Sequence, residues 1–352
     1  MNVVDVLPRD AIPPVYDPAF EPVDAYPYAP DDDVVVVEID GAVRGYPIRY
    51  LTYHEIVDDE LAGVPIAVTW CPLCGSVLVF DRRVDDRTLT FGVSGKLADD
   101  TLVMYDHETG SEWKQSLSRA IAGELAGTEL TVLPAAVTTY ERFRETHPDA
   151  AVLAAPGGAS ETASDDDEPA AIDYVEESFA DYFESDGFGL GGRRPDAESR
   201  SFPLDWLDPK TVVCGLEHDG DAVGVPRPVA EAAGGVVTVT VGGTDVVVFA
   251  TPDGLHAFHD PGFDWTPVDD GGVDRESGVE RDAHGEGVAT AGGTGAATRA
   301  PVRFSADGSV WDGATGRAVG DDGRAPLERF PAIRLFAYGW VDNHGTEAFY
   351  RD

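Results

Sequence analysis

The chain has 352 residues, and 43% of them are apolar, which is enough to fill the hydrophobic cores of two domains of ordinary size. Its 65 Asp and Glu residues outnumber its 25 Lys and Arg residues, so the formal net charge is −40. Negative charge of this size repels phosphate backbones, which argues against a nucleic-acid partner. We interpret the acidity as the solvated surface of a halophilic protein.

The cellular compartment is predicted from two absences in the sequence. The segment Met1–Pro8 contains neither the basic nor the apolar region of a signal peptide. No apolar run approaches the roughly 18 residues that a membrane-spanning helix needs. We therefore expect a cytoplasmic protein without a membrane partner. In a reducing cytoplasm, three cysteines do not form a disulfide framework, and a Cys-x-x-Cys pair indicates a metal or redox element.

The first part of the chain predicts an extended arm followed by a β-hairpin. Residues 1–33 are rich in Pro and Asp and show no stable period, which is typical of an arm lying on a domain surface. Two β-branched runs, Val34–Ile39 and Ala42–Ile48, flank the dipeptide Asp40-Gly41. An Asp-Gly pair between such runs predicts a hairpin turn.

A helix and further strands are predicted after the hairpin. The apolar spacing from Arg49 to Glu60 predicts a short amphipathic helix with His54 and Glu55 near its middle. Val64–Trp70 and Val77–Phe80 are strand-like, so the Cys-x-x-Cys motif between them is predicted to lie in a turn. Further predicted elements are strands at Arg87–Val93 and Leu102–Asp106 and a helix at Thr138–Thr146.

The composition changes between Pro156 and Ser201, where Gly, Ser, Asp and Glu dominate. We interpret this segment as an acidic linker between an N-terminal copy at residues 1–155 and a C-terminal copy at residues 202–352. A second biased stretch, Asp269–Thr298, is rich in Gly and predicts a flexible surface loop.

The C-terminal part repeats motifs of the N-terminal part in the same order. Val212–Pro226 aligns with Val35–Pro47, and Gly308–Trp311 aligns with Gly110–Trp113. An internal duplication explains these ordered matches. We therefore expect a β-rich α+β protein built from two degenerate copies of one antiparallel-sheet unit. Because the second copy lacks the paired cysteines, we expect one chemical site per chain.

The candidate site is the Cys-x-x-Cys motif formed by Cys71 and Cys74. In the predicted turn, Pro72 fixes φ and Gly75 accepts a positive φ, a combination typical of a metal knuckle. Two thiolates and an imidazole suit zinc or copper, so we name Cys71, Cys74 and His54 as candidate metal ligands. His54 equally fits a structural role in which it fixes the helix to a neighbouring loop.

Other polar and sulfur-containing residues have more than one interpretation. Met104 would add a thioether that favours copper, and it also suits a core position. Asp106 fits a metal ligand or a turn former, and Cys214 fits a buried small hydrophobe. The residues Ser94, Gly95, Ser111 and Trp113 are candidates for lining a pocket or for ordinary turn and core roles.

The same cysteines also suit a thiol–disulfide oxidoreductase. Cys71 would attack a disulfide, Cys74 would resolve the intermediate, and His54 or Glu55 would carry protons, so the candidate catalytic residues are Cys71, Cys74 and Glu55. The strand-like sequence after Cys74 lacks the helix N-terminus that lowers the thiol pKa in thioredoxin-type sites. A cysteine nucleophile with His54 as its base is a further alternative.

Two other site classes lack their sequence signatures. The chain has no Gly-x-x-x-x-Gly-Lys-Ser/Thr loop and no Gly-x-Gly-x-x-Gly after a strand, so nucleotide and flavin binding are not indicated. The sequence around Ser94 does not complete Gly-x-Ser-x-Gly, so a hydrolase nucleophile elbow is not indicated either.

Taken together, the motifs resemble an uncharacterised prokaryotic family, domain of unknown function 3179. The resemblance implies which residues matter but supplies no activity. Relatives usually carry Arg at the position of His107, which argues against His107 as a ligand. The residues that carry the resemblance are Ala11–Pro14, Tyr46-Pro47, His54–Asp58, Cys71–Gly75, Thr90–Gly95, Leu102–Ser111 and Trp113.

Three functions are consistent with the sequence. We expect first a cytoplasmic protein that binds zinc or copper through Cys71, Cys74 and His54, with an unknown small molecule or metal as its partner. The alternative is a thiol–disulfide oxidoreductase that uses the same cysteine pair. The third is a non-catalytic protein in which the motif only stabilises the fold.

Overall fold

The structure is a computed structural model that describes residues 1–164, 169–176, 178–194, 196–268, 302–320 and 323–351. The predicted surface loop Asp269–Thr298 lies outside the described residues. Within them, short antiparallel strands predominate over six α-helices, so the predicted β-rich character is confirmed. None of the helices in the described ranges is both long and apolar enough to cross a bilayer.

The N-terminal part of the chain, up to residue 155, consists mainly of strands. The strands are β1 Val3–Asp5, β2 Phe20–Pro22, β3 Asp33–Ile39, β4 Ala42–Pro47, β5 Ile56–Leu61, β6 Val64–Cys71, β7 Ser76–Asp81, β8 Arg83–Val84, β9 Arg87–Thr88, β10 Phe91–Ala98, β11 Thr101–Asp106, β12 Glu112–Lys114, β13 Arg119–Ala122, β14 Val132–Leu133, β15 Ala136–Thr139 and β16 Ala151–Leu153. The helices are α1 Ile48–His54 and α2 Tyr140–Thr146, with 3₁₀ helices at Val23–Ala25 and Gln115–Leu117.

The remainder of the chain contains short elements up to residue 201 and a second set of strands after it. The short elements are β17 Ala159–Ser160, a 3₁₀ helix Glu161–Ala163, β18 Ala170–Ala171, α3 Ala180–Glu184 and α4 Gly189–Arg193. The later elements are β19 Val212–His218, β20 Asp221–Pro226, α5 Arg227–Ala232, β21 Val236–Val241, β22 Thr244–Thr251, β23 Gly254–His259, β24 Thr266–Pro267, β25 Arg303–Ala306, β26 Ser309–Asp312, β27 Ala332–Phe336 and α6 Ala337–His344.

The predicted hairpin is confirmed as β3 and β4. The two strands pair from Val34 opposite Pro47 to Ile39 opposite Ala42. The turn residues Asp40 and Gly41 both have positive φ, 50° and 79°, as a two-residue turn matching the twist of the strands requires.

The predicted helix Arg49–Glu60 is wrong in its second half. Helix α1 ends at His54, and the following residues form β5, which pairs with β6. Glu55 interrupts the helix because it adopts φ 57° and ψ −32°, outside the helical region. Strand β5 is buried at nearly every position, so its sequence lacks the alternation that distinguishes a half-exposed strand from a helix.

The largest sheet contains strands from both halves of the chain. Its seven strands include the path β20-β19-β27-β7-β6-β5, with β14 also pairing with β7. Strand β27 joins the halves because it pairs with β19 on one side and with β7 on the other. One apolar core therefore includes Cys71 and Cys74 from the first half together with Leu335 and Phe336 from the second.

The predicted linker, residues 156–201, packs against this core through aromatic residues. Phe179 and Tyr182 are buried in this core, whereas Tyr174 is buried in a separate core and Phe183 is exposed. The Tyr182 hydroxyl donates a hydrogen bond of 2.6 Å to the backbone oxygen of Leu73, inside the Cys-x-x-Cys turn. The segment therefore forms part of the surroundings of the motif.

The contact between the halves predicts unequal effects of two glycine substitutions. A Cβ at Gly75 would lie 2.7 Å from the Phe336 ring, whereas a Cβ at Gly63 would meet no atom within 4 Å. Both residues have positive φ, so Gly→Ala costs each about 1–2 kcal/mol of backbone strain. We expect Gly75→Ala to lose about 1–3 kcal/mol more unfolding free energy than Gly63→Ala, measured by denaturant unfolding. Equal losses would show that Phe336 does not constrain the turn.

Candidate functional site

The Cys-x-x-Cys motif occupies the turn between two strands of the large sheet, as predicted. Strand β6 ends at Cys71, which pairs with Ser76, the first residue of β7. Both cysteines are free and buried, with 1% of Cys71 and none of Cys74 exposed. Each thiol shifts the pKa of the other. The turn therefore places the two cysteines near each other inside the protein.

Residues of the C-terminal half fix the backbone of this turn. The Phe336 N–H donates a hydrogen bond of 2.7 Å to the Cys74 oxygen. The Arg334 side chain donates a hydrogen bond of 2.8 Å from Nη1 to the Gly75 oxygen. Because both donors lie on or at the end of β27, the geometry of the thiol pair depends on the second half of the chain.

Glu55 brings a buried carboxyl group to the same place. Its backbone connects α1 to β5, with its N–H bonded to the Leu51 oxygen at 2.6 Å and its oxygen accepting from the Trp70 N–H at 2.8 Å. A non-glycine residue with φ 57° and ψ −32° is strained by about 1–3 kcal/mol. The residue is 7% exposed, and its carboxyl group forms no hydrogen bond or ion pair with the described residues.

The environment of Glu55 favours its protonated form. Burial raises the pKa of Glu55 well above its usual value, and the proximity of Cys71 and of Glu161 raises that pKa further. Glu161 itself accepts a hydrogen bond of 2.9 Å from Arg194. The neutral form of Glu55 is therefore favoured, which makes it a potential proton donor beside Cys71.

A cavity of about 400 Å³ opens beside Glu55 and the motif. The Cys-x-x-Cys turn contributes Pro72 and Leu73 to its lining, and Leu102 and other apolar residues form much of the remainder. Glu161 and the residues around it, from the predicted linker, also line the cavity. A volume in this range suits a small organic molecule.

The two thiols are unequal. Burial raises the pKa of Cys71 well above its usual value, and the neighbouring Cys74 raises that pKa further. Burial also disfavours a thiolate at Cys74, but the neighbouring groups of Cys71, Ser76 and Lys114 outweigh burial and lower the pKa of Cys74. A single negative charge shared by the pair therefore rests preferentially on Cys74.

His54, a predicted ligand, has both ring nitrogens engaged elsewhere. Nδ1 lies 2.8 Å from the Pro13 oxygen and Nε2 lies 2.7 Å from the Tyr174 hydroxyl. Because a carbonyl oxygen only accepts, Nδ1 carries the hydrogen and the Nε2 lone pair faces Tyr174. Burial lowers the pKa of His54, which keeps the ring neutral. His54 thus holds the N-terminal arm and the linker segment against α1.

The predicted set of metal ligands is not assembled as a group. No cluster of three or more His, Cys, Asp or Glu residues able to hold a metal ion occurs among the described residues. Met104 is fully buried on β11 and packs in the same core as the cysteines. Asp106 accepts hydrogen bonds from the Thr109 N–H at 2.6 Å and from the Trp113 indole at 2.9 Å, so it fixes a turn.

Three residues near the site were not singled out from the sequence. Ser76 lies 3.0 Å from the Cys74 sulfur, and Gln115 lies beyond Ser76 at 2.6 Å. Glu161 belongs to the predicted linker and lines the cavity. No local pattern marks Gln115 or Glu161, because each reaches the site through contacts between residues distant in sequence.

The comparison with known families gives one match. The family described as "Protein of unknown function (DUF3179)" matches residues 9–347. The chain belongs to this family. The match includes both predicted copies and the Cys-x-x-Cys turn, and the DUF3179 description assigns no reaction. Searches of curated proteins and of solved structures gave no match.

Backbone strain at Glu55 predicts that glycine is the more stable residue there. Glu55→Gly and Glu55→Gln both remove the ionisable group, but only glycine removes the conformational penalty. We expect Glu55→Gly to exceed Glu55→Gln in unfolding free energy by about 1–2 kcal/mol, after allowance for the greater entropy of unfolded glycine. Chemical denaturation at one pH measures the difference, and a less stable glycine variant would contradict the strain.

The raised pKa of Glu55 predicts a pH dependence of stability. An acid whose folded pKa exceeds its unfolded pKa of about 4.3 destabilises the fold as pH rises between the two values. We expect the unfolding free energy of the wild type, relative to that of Glu55→Gln, to fall with rising pH by up to about 1.4 kcal/mol per unit. Subtracting the unfolding free energy of Glu55→Gln from that of the wild type removes the contributions of the other acids. A pH-independent difference would show that Glu55 is not perturbed.

Proposed function

We propose that the site is a dithiol that exchanges with disulfides of small molecules, with Glu55 supplying a proton. The observation that supports this proposal most directly is the pair of free thiols, Cys71 and Cys74, in one turn beside a buried carboxyl group that has no hydrogen-bonding partner among the described residues. A perturbed carboxyl and a thiol pair next to a cavity are typical of reactive sites.

Burial of the thiols favours a small substrate over a protein disulfide. The exposed fractions of Cys71 and Cys74, 1% and 0%, leave no surface on which another protein could dock against a sulfur atom. The cavity of about 400 Å³ beside Glu55, lined by Pro72 and Leu73 of the turn, offers space for a reacting molecule. Cys71, the cysteine next to Glu55, would be the sulfur that meets it.

In the proposed reaction, Cys71 passes its proton to the neighbouring Cys74 thiolate and attacks one sulfur of the substrate disulfide. A mixed disulfide forms on Cys71, and the leaving thiolate takes the proton of Glu55. Cys74 then attacks the Cys71 sulfur, and its proton goes to the second leaving thiolate. Two cysteines are oxidised, one disulfide is reduced to two thiols, and Glu55 regains its proton from solvent.

Metal binding is the second candidate function. The paired sulfur atoms supply two soft donors, and Glu55 is a further oxygen donor close to Cys71. Because both nitrogens of His54 are engaged and Glu55 does not form a three-residue metal group with the cysteines among the described residues, the remaining ligands of zinc or copper would come from solvent or from a molecule in the cavity. Such a site would be open and suited to metal transfer or catalysis.

We also propose that the two halves arose by internal duplication. The elements β3, β4, α1, β5, β6 and β7 recur in order and in nearly equal length as β19, β20, α5, β21, β22 and β23. One hydrogen bond also recurs, because the Ala250 N–H donates to Gly235 at 2.8 Å just as the Trp70 N–H donates to Glu55 at 2.8 Å. The position of Glu55 is thus filled by glycine with φ 85° in the second copy.

This correspondence supports a chemical role for Glu55. Glycine satisfies the positive φ without strain, so the backbone does not require glutamate at position 55. The turn after it also differs, since residues 72–75 separate β6 from β7 whereas only residues 252–253 separate β22 from β23. The thiol pair and the strained acid therefore occur together in one copy and are both missing from the other.

A cytoplasmic location and a halophilic source remain part of the proposal. The net charge of −40 supports them, because a strongly acidic surface suits a salt-rich cytoplasm. The protein should accordingly be assayed in concentrated KCl.

Oxidation of the reduced protein by a small neutral disulfide tests the redox proposal. With bis(2-hydroxyethyl) disulfide we expect the intact mass to fall by two hydrogen atoms and peptide mapping to locate a Cys71–Cys74 disulfide. Cys74→Ser should accumulate a mixed disulfide on Cys71, because the resolving thiol is missing. Cys214→Ser is the matched control, since Cys214 is buried away from the pair in β19 and should behave as wild type.

Metal analysis of the same preparation separates the candidates. Protein purified without chelator is examined by native mass spectrometry before oxidation. One equivalent of zinc or copper that is lost in Cys71→Ser and prevents oxidation would favour the metal site. Wild-type protein that binds no metal and resists the disulfide in the folded state would leave only the structural role.

A further inference from the structure

A chain of buried polar side chains leads away from the Cys74 sulfur. Ser76 Oγ lies 3.0 Å from Cys74 Sγ and 2.6 Å from Gln115 Oε1. Gln115 Nε2 lies 3.0 Å from Thr69 Oγ1, which in turn lies 2.8 Å from the Leu78 backbone oxygen. Thr69, Ser76 and Gln115 are all fully buried. Each hydrogen in this chain therefore has a partner inside the protein and none in solvent.

The donor and acceptor of each hydrogen bond follow from the last acceptor in the chain, the Leu78 backbone oxygen. A carbonyl oxygen only accepts, so the single hydroxyl hydrogen of Thr69 goes to Leu78. The Thr69 oxygen then accepts from Gln115, which places the amide nitrogen on that side. The Ser76 backbone oxygen, 3.4 Å from the same nitrogen, is a second acceptor that requires the same orientation. The Gln115 oxygen consequently faces the Ser76 hydroxyl.

Ser76 has one hydroxyl hydrogen and two acceptors within reach. The Gln115 amide oxygen carries no hydrogen, so the 2.6 Å contact requires that Ser76 donate its hydrogen to Gln115. In that arrangement the Ser76 oxygen, 3.0 Å from the sulfur, accepts from the protonated Cys74 thiol. A thiolate at Cys74 gains the Ser76 hydrogen only if the buried Gln115 oxygen loses it.

We propose that Gln115 controls how readily Cys74 becomes a thiolate, by holding the Ser76 hydroxyl hydrogen away from the sulfur. Gln115 is thereby a positioning residue: because the Cys74 thiolate is denied this hydrogen bond, it is a stronger base toward the proton of Cys71. The use of this control in disulfide exchange rests on the proposed function, whereas the control itself is a property of the hydrogen-bonded chain.

The acidity of Cys74 alone provides the test. In a Cys71→Ser, Cys214→Ser background of the full chain, Cys74 is the one cysteine left, and its thiolate is followed by ultraviolet absorbance against pH. Adding Gln115→Met frees the Ser76 hydroxyl to donate to the sulfur. We expect the pKa of Cys74 to fall by about one unit, the effect of one hydrogen bond to a charged group.

Two further variants distinguish this effect from a general loss of packing. Gln115→Glu should not lower the pKa of Cys74, because a buried, protonated acid still donates to Thr69 and accepts from Ser76. Ser76→Ala removes the hydroxyl, so Gln115→Met added to Ser76→Ala should leave the pKa unchanged. Near-ultraviolet circular dichroism confirms that each variant is folded.

Either of two results would overturn the proposal. One is an unchanged or raised pKa of Cys74 in folded Gln115→Met. The other is the same fall in pKa with and without Ser76. Because these titrations need no disulfide substrate, they separate a failure of this inference from a failure of the proposed redox function.

Discussion

The site depends on the cost of placing a glutamate where helix α1 passes into strand β5. The backbone must reverse there with a positive φ, which glycine adopts without strain, and the side chain enters the core without a hydrogen-bonding partner among the described residues. The strain does not depend on the charge of the carboxyl group, whereas the cost of burial is reduced when that group is protonated. Burial therefore favours a neutral acid beside Cys71.

Charged groups are stabilised differently at the acidic surface and in the interior of the protein. Most of the net charge of −40 is solvated, whereas the buried cation Lys114 is paired with Asp99 at 2.9 Å. Lys114 also lies near enough to Cys74 to favour a negative sulfur. The positive charge of Lys114 thus favours a thiolate at Cys74, whereas burial disfavours a second negative charge at Glu55. This difference separates a potential nucleophile from a potential proton donor within one small region.

Local sequence patterns predicted the elements that local interactions determine. The β-branched runs around Asp40-Gly41 predicted the β3–β4 hairpin, and the apolar runs around the cysteines predicted a turn between strands. The end of α1 was not predicted, because glutamate has no preference for positive φ. The partners of His54 lie 41 and 120 residues away, so its structural role became visible only in the folded chain.

The most direct test asks whether Glu55 is a neutral acid that responds to oxidation of the thiol pair. Difference infrared spectroscopy compares the carboxyl bands of the reduced and oxidised protein near neutral pH. The account predicts a carbonyl band of a protonated carboxylic acid that shifts when Cys71 and Cys74 are oxidised and that is missing in Glu55→Gln. A spectrum without such a band, or with a band that persists in Glu55→Gln, would contradict it.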